Sequence, residues 1–118
     1  GAIELLFNNE LAESVVGVTK VEGAHPSFLF TIQNELLRPM LGLQPNGLRR
    51  QDLKDDYYHL EGSIYVSSVT ALIERRGFYH ADAFPWVVDR YKAIEIDELC
   101  DFIAAEALMQ AKIQGVLT

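Results

Sequence analysis

Cysteine is nearly absent from the sequence: Cys100 is the single thiol among 118 residues. One thiol cannot form an internal disulfide, so the composition favours a reducing compartment. No apolar run approaches the ~18 residues that a membrane span requires. No charged segment followed by an apolar core resembles a secretory signal. These absences predict a soluble, cytoplasmic protein.

Positive charge is also scarce, because 10 Lys and Arg residues face 17 Asp and Glu residues, for a formal net charge of -7. Nucleic acids and anionic membranes both bind basic faces, so we expect neither as a partner. A nucleotide remains compatible, since a few residues and a divalent metal can hold its phosphates. The sequence contains no Walker loop, no GxGxxG and no nucleophile elbow, and its three histidines lack the spacing of metal ligands.

The apolar pattern predicts one α/β domain over residues 1–118, with a mixed sheet and flanking helices. Helical spacing and caps predict three helices, at Ala2–Glu10, Ser68–Arg76 and Asp97–Gln114. Valine-rich or alternating segments predict five strands, at Ser14–Val21, Phe28–Ile32, Tyr57–Ser67, Ala83–Val88 and Lys92–Ile96. The interval Gly42–Asp56 is predicted to be a long loop of functional length.

Two of these segments carry further expectations about burial. In the strand Tyr57–Ser67, alternate residues divide into an apolar core face and a face that is polar and aromatic. The last helix has an apolar stripe that we expect to be buried, formed by Leu99, Phe102, Ile103, Ala107 and Met109. Cys100, inside the same helix, is predicted to be a core residue.

The pair Glu95 and Asp97 is the first candidate site. In a strand, the two side chains share one face, ~6.6 Å apart along the chain. Carboxylates so placed at a strand end can hold one Mg²⁺, a hard cation that prefers oxygen ligands and keeps waters and substrate phosphates. The same pattern also suits a solvated strand edge followed by a helix cap.

Three further groups are candidates for binding a ligand. Glu61 and Tyr65 lie on the polar face of one strand, where Gly62 permits close approach. The loop carries Arg49-Arg50-Gln51, and arginine pairs carboxylates and phosphates in a bidentate way. The aromatic pair Phe78-Tyr79 can wall an apolar part of a ligand. Each group has an ordinary alternative, namely a wet strand face, solvated charges or packing under a loop.

The order and separation of these pieces resemble the later half of the acylneuraminate cytidylyltransferases, which include the CMP-sialic acid synthetases and their legionaminate relatives. The resemblance rests on Arg49-Arg50-Gln51-Asp52, Tyr57 to Val66, Gly77-Phe78-Tyr79 and Ile94-Glu95-Ile96-Asp97. Upstream, Ser14 to Val18, His25-Pro26 and Leu37-Arg38-Pro39-Met40 are also similar. The resemblance covers nearly the whole chain and implies the C-terminal half of a Rossmann-like nucleotide-diphospho-sugar transferase fold.

The resemblance implies a role for each candidate. Glu95 and Asp97 fall on two aspartates that bind the catalytic Mg²⁺, and Tyr65 falls on a tyrosine that contacts the sugar acid. Phe78 and Tyr79 match an aromatic pair that lines the acyl-group pocket. An arginine that reaches the partner's site across the dimer corresponds to Arg50, with Gln51 beside it, and residues of about 21–56 correspond to a dimerisation arm.

The sequence departs from the family at three points. Glu61 stands where an asparagine is usual, and Glu95 stands where the first aspartate is usual. Nothing matches the N-terminal half, with its basic, glycine-bearing loop for the CTP phosphates. The implied activity is transfer of CMP from CTP to a sialic-type sugar acid by a homodimer, and we expect the chain alone to be inactive. The alternative is a free-standing dimerisation or ligand-binding module without catalysis.

Overall fold

A computed structural model describes residues 1–42, 49, 51, 53 and 55–117 of the chain. The chain divides into two compact units, one formed by Gly1–Thr19 with Leu60–Thr118 and the other by Lys20–His59. The interval of about 21–56 that the sequence associates with a dimerisation arm falls inside the second unit, and its role in dimerisation stays a prediction. Within the described residues, no helix is long and apolar enough to span a membrane.

The first unit is mixed α/β, as the sequence predicts. Its elements are α1 (Ala2–Asn8), β1 (Ser14–Lys20), β4 (Tyr58–Ser67), α2 (Val69–Arg75), β5 (Ala83–Val87) and α3 (Leu99–Ile113). Among the described residues, three strands form a mixed sheet in the order β4-β1-β5, flanked by helices. The strands β1 and β5 run parallel, with Ser14 opposite Ala83 and Val18 opposite Val87.

The central strand β1 is the best-buried element of the chain. Its β-branched residues suit a pleated surface covered on both faces, and Val15 and Val16 are both buried. Thr19 is buried as well, and its hydroxyl donates to the Val88 carbonyl oxygen at 2.9 Å. This strand lies between β4, which carries Glu61 and Tyr65, and β5.

The second unit contains the hairpin of β2 (Phe30–Gln33) and β3 (Leu36–Pro39). Its two-residue turn places both Asn34 (φ 51°) and Glu35 (φ 64°) in the left-handed region. Two consecutive positive φ values are typical of the type I′ turn that matches the twist of paired strands. The first strand overlaps the predicted strand Phe28–Ile32, and a short 3₁₀ helix at Pro26–Phe28 precedes it.

The helix ends follow the sequence to within a residue or two. Ser68 caps α2, since its hydroxyl accepts a hydrogen bond from the Ala71 N–H at 3.1 Å. The residue that ends α2 in the left-handed conformation is Arg76 (φ 56°) rather than the predicted Gly77. The cap of α3 is Glu98 rather than Asp97, and Asp101 accepts its N–H at 2.9 Å.

Three expectations about the C-terminal region are wrong. The predicted strand Lys92–Ile96 is absent, because Lys92 ends a 3₁₀ turn (Arg90–Lys92) and the following residues are irregular. Cys100 is exposed. The apolar stripe of α3 is exposed too: Leu99 is 74% and Met109 60% accessible. In the part of the chain that the structure describes, the buried apolar residues are Val15, Val16 and Ala71.

Candidate functional site

Glu61, expected on the wet face of β4, is instead buried, with 3% of its surface exposed. Its carboxylate lies over Gly17 of β1, where an added Cβ would come within 2.9 Å of Glu61 Cδ. The Ser63 hydroxyl donates to both carboxylate oxygens, at 2.6 and 2.7 Å, and the Ser63 N–H donates at 3.2 Å. Glu61 therefore faces the sheet and its neighbour Ser63 rather than the solvent.

The next residue of β4, Gly62, receives a second carboxylate. Gly62 has a φ of 81°, and an added Cβ would lie 3.3 Å from Glu95 Cδ and closer still to Oε1. The sequence suggests that this glycine lets a ligand or another backbone approach, and in the structure the Glu95 side chain takes that space. The fold thus brings Glu95, more than thirty residues away in sequence, against the middle of β4.

The aromatic side chains Tyr65 and Phe78 form a pair in space. Their ring centroids are 5.7 Å apart with an interplanar angle of 57°, a tilted arrangement within the favourable range for aromatic pairs. Both rings are partly exposed, so together they present an apolar surface with one phenolic hydroxyl. Tyr79, the other half of the predicted aromatic wall, is 72% exposed and has no ring contact among the described residues.

The remaining predicted residues are less well placed. Asp97 is exposed, and its N–H donates to Asp101 at 3.2 Å as part of the start of α3. Because residues 93–96 form no strand, the argument that Glu95 and Asp97 project from one strand face does not hold, and their joint metal site stays a prediction. Gln51 is exposed in the second unit, and Arg50 lies outside the described residues.

A cluster that the sequence reading missed lies at the start of the parallel strands. Arg75, in the last turn of α2, donates to both oxygens of Glu13, with Nε to Oε2 at 2.9 Å and Nη2 to Oε1 at 3.2 Å. Its Nη2 also contacts Asp82 at 2.7 Å. This guanidinium lowers the pKa of the Glu13 carboxyl below its ordinary value. Arg75 thereby joins α2 to the residues that precede β1 and β5.

His80 completes this cluster. Its Nε2 lies 3.1 Å from the Ser14 hydroxyl, and its Nδ1 accepts the Asp82 N–H at 3.3 Å. One ligand atom each from Glu13, His80 and Asp82 lie within 4.8 Å of one another, so the group can hold a metal ion. The short spacing of His80 and Asp82 was the available signal, but the contribution of Glu13 depends on the pairing of β1 with β5.

Comparison with known proteins does not assign the chain to a family. No protein-family model matches the chain, and no curated protein shows significant sequence similarity to it.

Proposed function

We propose that the chain is the sugar-acid-binding half of a nucleotidyltransferase similar to the acylneuraminate cytidylyltransferases, with the corresponding Rossmann-like half-domain. One observation carries the proposal. Phe78 and Glu95, which come from separate segments, both contact β4, at Tyr65 and Gly62 respectively. These four positions belong to the motifs on which the resemblance rests, and two of them, Phe78 and Glu95, lie against the strand that carries the other two.

The reaction is attack of the anomeric hydroxyl of a nonulosonic or sialic-type acid on the α-phosphate of CTP, with release of pyrophosphate. The Tyr65–Phe78 pair offers the acyl group an apolar surface, and the Tyr65 hydroxyl can hydrogen-bond a sugar oxygen. Fixing the sugar in this way supplies orientation, which is the main contribution that binding residues make to such a step. Tyr79 completes the proposed set in the first unit, and the substrate contacts of Arg50 and Gln51 stay predictions from the resemblance.

Mg²⁺ is the metal that the proposal requires. Glu95 and Asp97 supply exposed carboxylate oxygens, the donor type that this hard cation prefers, so the residues fit it chemically. When bound, the ion neutralises charge that develops on the phosphates. The basic loop that holds the CTP phosphates is assigned to a portion that this chain does not contain, and we therefore expect no CMP-sugar formation by the chain alone.

The buried position of Glu61 is relevant to the presence of a glutamate where the similar family usually has an asparagine. A carboxylate facing an acidic sugar would repel it, whereas the Glu61 side chain is turned over Gly17 and bonded to Ser63. A ligand at the surface of β4 would meet Tyr65 before Glu61. We therefore assign Glu61 to the support of the strand, and direct contact with the substrate would require its side chain to turn.

Calorimetric titration tests the proposal. N-acetylneuraminate is added to the chain alone and to the chain with CTP and Mg²⁺. We expect saturable sugar binding that weakens at least tenfold in Tyr65→Ala, and Mg²⁺-dependent CTP binding that weakens in Asp97→Ala. Matched controls are Tyr57→Phe and Asp89→Asn, which remove a hydroxyl or an acid outside the Gly62–Tyr65 region. Absence of sugar binding by a folded chain contradicts the proposal. Robust CMP-sugar formation by the chain contradicts the assignment of the CTP-binding loop to another portion.

A second function, that of a homodimerisation module, is favoured by the exposed surface. On α3, Leu99, Phe102 and Ile103 are 74%, 54% and 57% exposed. Contiguous exposed apolar surface is characteristic of a protein–protein interface.

The face of α3 that carries Leu99, Phe102 and Ile103 is the surface that we assign to a second copy. Sedimentation of the wild type should show a dimer, and Leu99→Asp combined with Ile103→Asp should dissociate it. Lys112→Gln, an exposed position on the other side of the same helix, is the control and should stay dimeric. A tight dimer without ligand binding favours the module over the enzyme, whereas a wild-type monomer at micromolar concentration rules the module out.

A further inference from the structure

The cluster of Glu13, His80 and Asp82 draws its members from two places that are distant in sequence. Glu13 immediately precedes β1, while His80 and Asp82 lie just before β5. Because β1 and β5 are parallel and Ser14 pairs with Ala83, the residues that precede the two strands meet at one edge of the sheet. The arrangement is therefore a product of the sheet and depends on neither Glu95 nor Asp97.

The spacing of the donor atoms suits a single ion. One atom from each residue lies within 4.8 Å of the other two. Bonds of ~2.0–2.2 Å around a tetrahedral ion place ligand atoms roughly 3.3–3.6 Å apart. Side-chain rotations that move the three ligand atoms by about an ångström therefore bring them to these distances. Glu13 and His80 are half-buried and Asp82 is exposed, which leaves solvent access for water to complete the coordination.

The hydrogen bonds around His80 fix the tautomer that a metal needs. The Ser14 hydroxyl donates its proton to the Phe78 carbonyl oxygen at 2.7 Å, so Ser14 Oγ is left as an acceptor for His80 Nε2 at 3.1 Å. Nε2 therefore carries the proton. The lone pair of Nδ1 accepts the Asp82 N–H at 3.3 Å, and a bound metal takes the place of that hydrogen bond. Metal-binding histidines characteristically donate their other N–H to an oxygen in this manner.

We propose that Glu13, His80 and Asp82 form a binding site for a divalent transition metal such as Zn²⁺, Co²⁺ or Mn²⁺. One imidazole nitrogen with two carboxylates is a mixed donor set that these ions accept, whereas Mg²⁺ prefers oxygen alone. Ser14 is a positioning residue, since it orients the imidazole without contacting the ion. The site is separate from the proposed Mg²⁺ pair and does not rest on the proposed function.

Arg75 is the resident counter-cation of this site and the competitor of the metal. Its guanidinium contacts both carboxylates, so an entering ion displaces it from Glu13 and Asp82. The Arg75 side chain is 41% exposed and can move into solvent at the end of α2. Removing Arg75 must therefore strengthen metal binding, whereas removing any ligand weakens it. If the cluster were only a structural ion pair, removing Arg75 and removing a ligand would not change metal affinity in opposite directions.

Zn²⁺ and Co²⁺ titrations of the full chain test the site. They are followed by calorimetry and by the visible absorption of Co²⁺, in a Cys100→Ser background that removes the exposed thiol. We expect binding that falls at least tenfold in His80→Ala and in Glu13→Gln, and that rises at least threefold in Arg75→Met. His25→Ala, which removes a histidine of the second unit, should bind like the parent.

Circular dichroism without metal verifies that each variant is folded, and Asp82→Asn replaces any variant that is not. Co²⁺ should give the d–d absorption of an ion with a nitrogen ligand, and His80→Ala should abolish that absorption. The proposal is overturned if the parent binds Zn²⁺ no more tightly than His80→Ala does, or if a folded Arg75→Met variant binds it more weakly than the parent.

Discussion

Replacing Gly17 by alanine tests whether the buried Glu61 carboxylate depends on the space above a glycine. The added Cβ would lie 2.9 Å from Glu61 Cδ and 3.2 Å from Cγ, and closer still to Oε1. Overpacking of this kind costs about 1–3 kcal/mol, and displacing the carboxylate from Ser63 adds about 1–2 kcal/mol. Alanine recovers about 0.5 kcal/mol of strand propensity. We therefore expect Gly17→Ala to lower the free energy of unfolding by about 2–4 kcal/mol.

The structure supplies a local probe for this measurement. Trp86 is the only tryptophan of the sequence, and it lies directly opposite Gly17 on β5. Urea unfolding followed by its fluorescence, with circular dichroism as a second probe and at fixed protein concentration, gives the free energy of each variant. Coincident transitions by the two probes show that the whole first unit is being measured.

A double-mutant cycle with Glu61→Ala isolates the collision from other effects of the methyl group. In the Glu61→Ala background the carboxylate is gone, so Gly17→Ala should cost less than about 1 kcal/mol, giving a coupling free energy of about 2 kcal/mol. If Gly17→Ala costs the same in both backgrounds, the carboxylate does not occupy the space above Gly17 and the reasoning is refuted.

Further predictions concern the core, a helix cap and an ion pair. Val15→Ala should lower the free energy of unfolding by about 2 kcal/mol because the side chain is fully buried, whereas Val69→Ala at an exposed site should change it by less than about 0.5 kcal/mol. Ser68→Ala should cost about 1 kcal/mol by removing the cap of α2, and no loss in urea unfolding would contradict that role. The Lys92 ammonium, 2.8 Å away, holds the pKa of Asp89 below its ordinary value of 3.8. The stabilisation that this ion pair gives is therefore present at neutral pH and is lost as the pH falls below about 4. In an NMR titration, Lys92→Met should return the pKa of Asp89 to about 3.8. An unchanged Asp89 pKa would contradict the assignment.

The elements that the sequence predicts well are those with strong local signals. The strand β4, the valines of β1 and the serine cap of α2 each depend on neighbouring residues, and the structure has all three. The predicted division of β4 into a core face and a wet face is wrong, because Tyr58 and Leu60 are 47% and 41% exposed whereas Glu61 is buried. The predicted strand Lys92–Ile96 failed because alternation alone does not make a strand, since the backbone also needs a partner for its hydrogen bonds. Among the described residues, the sheet ends at β5, and residues 93–96 form no strand against its open edge.

The burial of particular side chains was harder to predict than the elements. Glu61 has the sequence position of a solvent-facing residue, and only the absence of a side chain at Gly17, on a different strand, lets it fold inwards. The stripe of α3 beginning at Leu99 was expected to be buried, but the described residues provide no surface that covers it. Neither outcome is encoded within a few residues of the side chain concerned.

The candidate site shows the same division between local and distant information. The sequence motifs indicate Tyr65, Phe78 and Glu95 separately, and the fold supplies the contacts of the latter two with β4. The cluster around His80 escaped notice because Glu13 reaches it only through the parallel pairing of two strands that are almost seventy residues apart. The spacing of residues along the chain does not indicate that β1 pairs with β5.

That parallel pairing also sets the order in which the chain can fold during synthesis. The β2–β3 hairpin joins residues separated by a two-residue turn, and such hairpins form in roughly 1–10 μs. β1 has no parallel partner until Val87 has emerged from the ribosome, which at ~5–20 residues per second is several seconds later. Its other neighbour, β4, is complete at Ser67, so until β5 follows the best-buried strand of the described sheet has one open edge. That edge is the part of the nascent chain that chaperones are expected to protect.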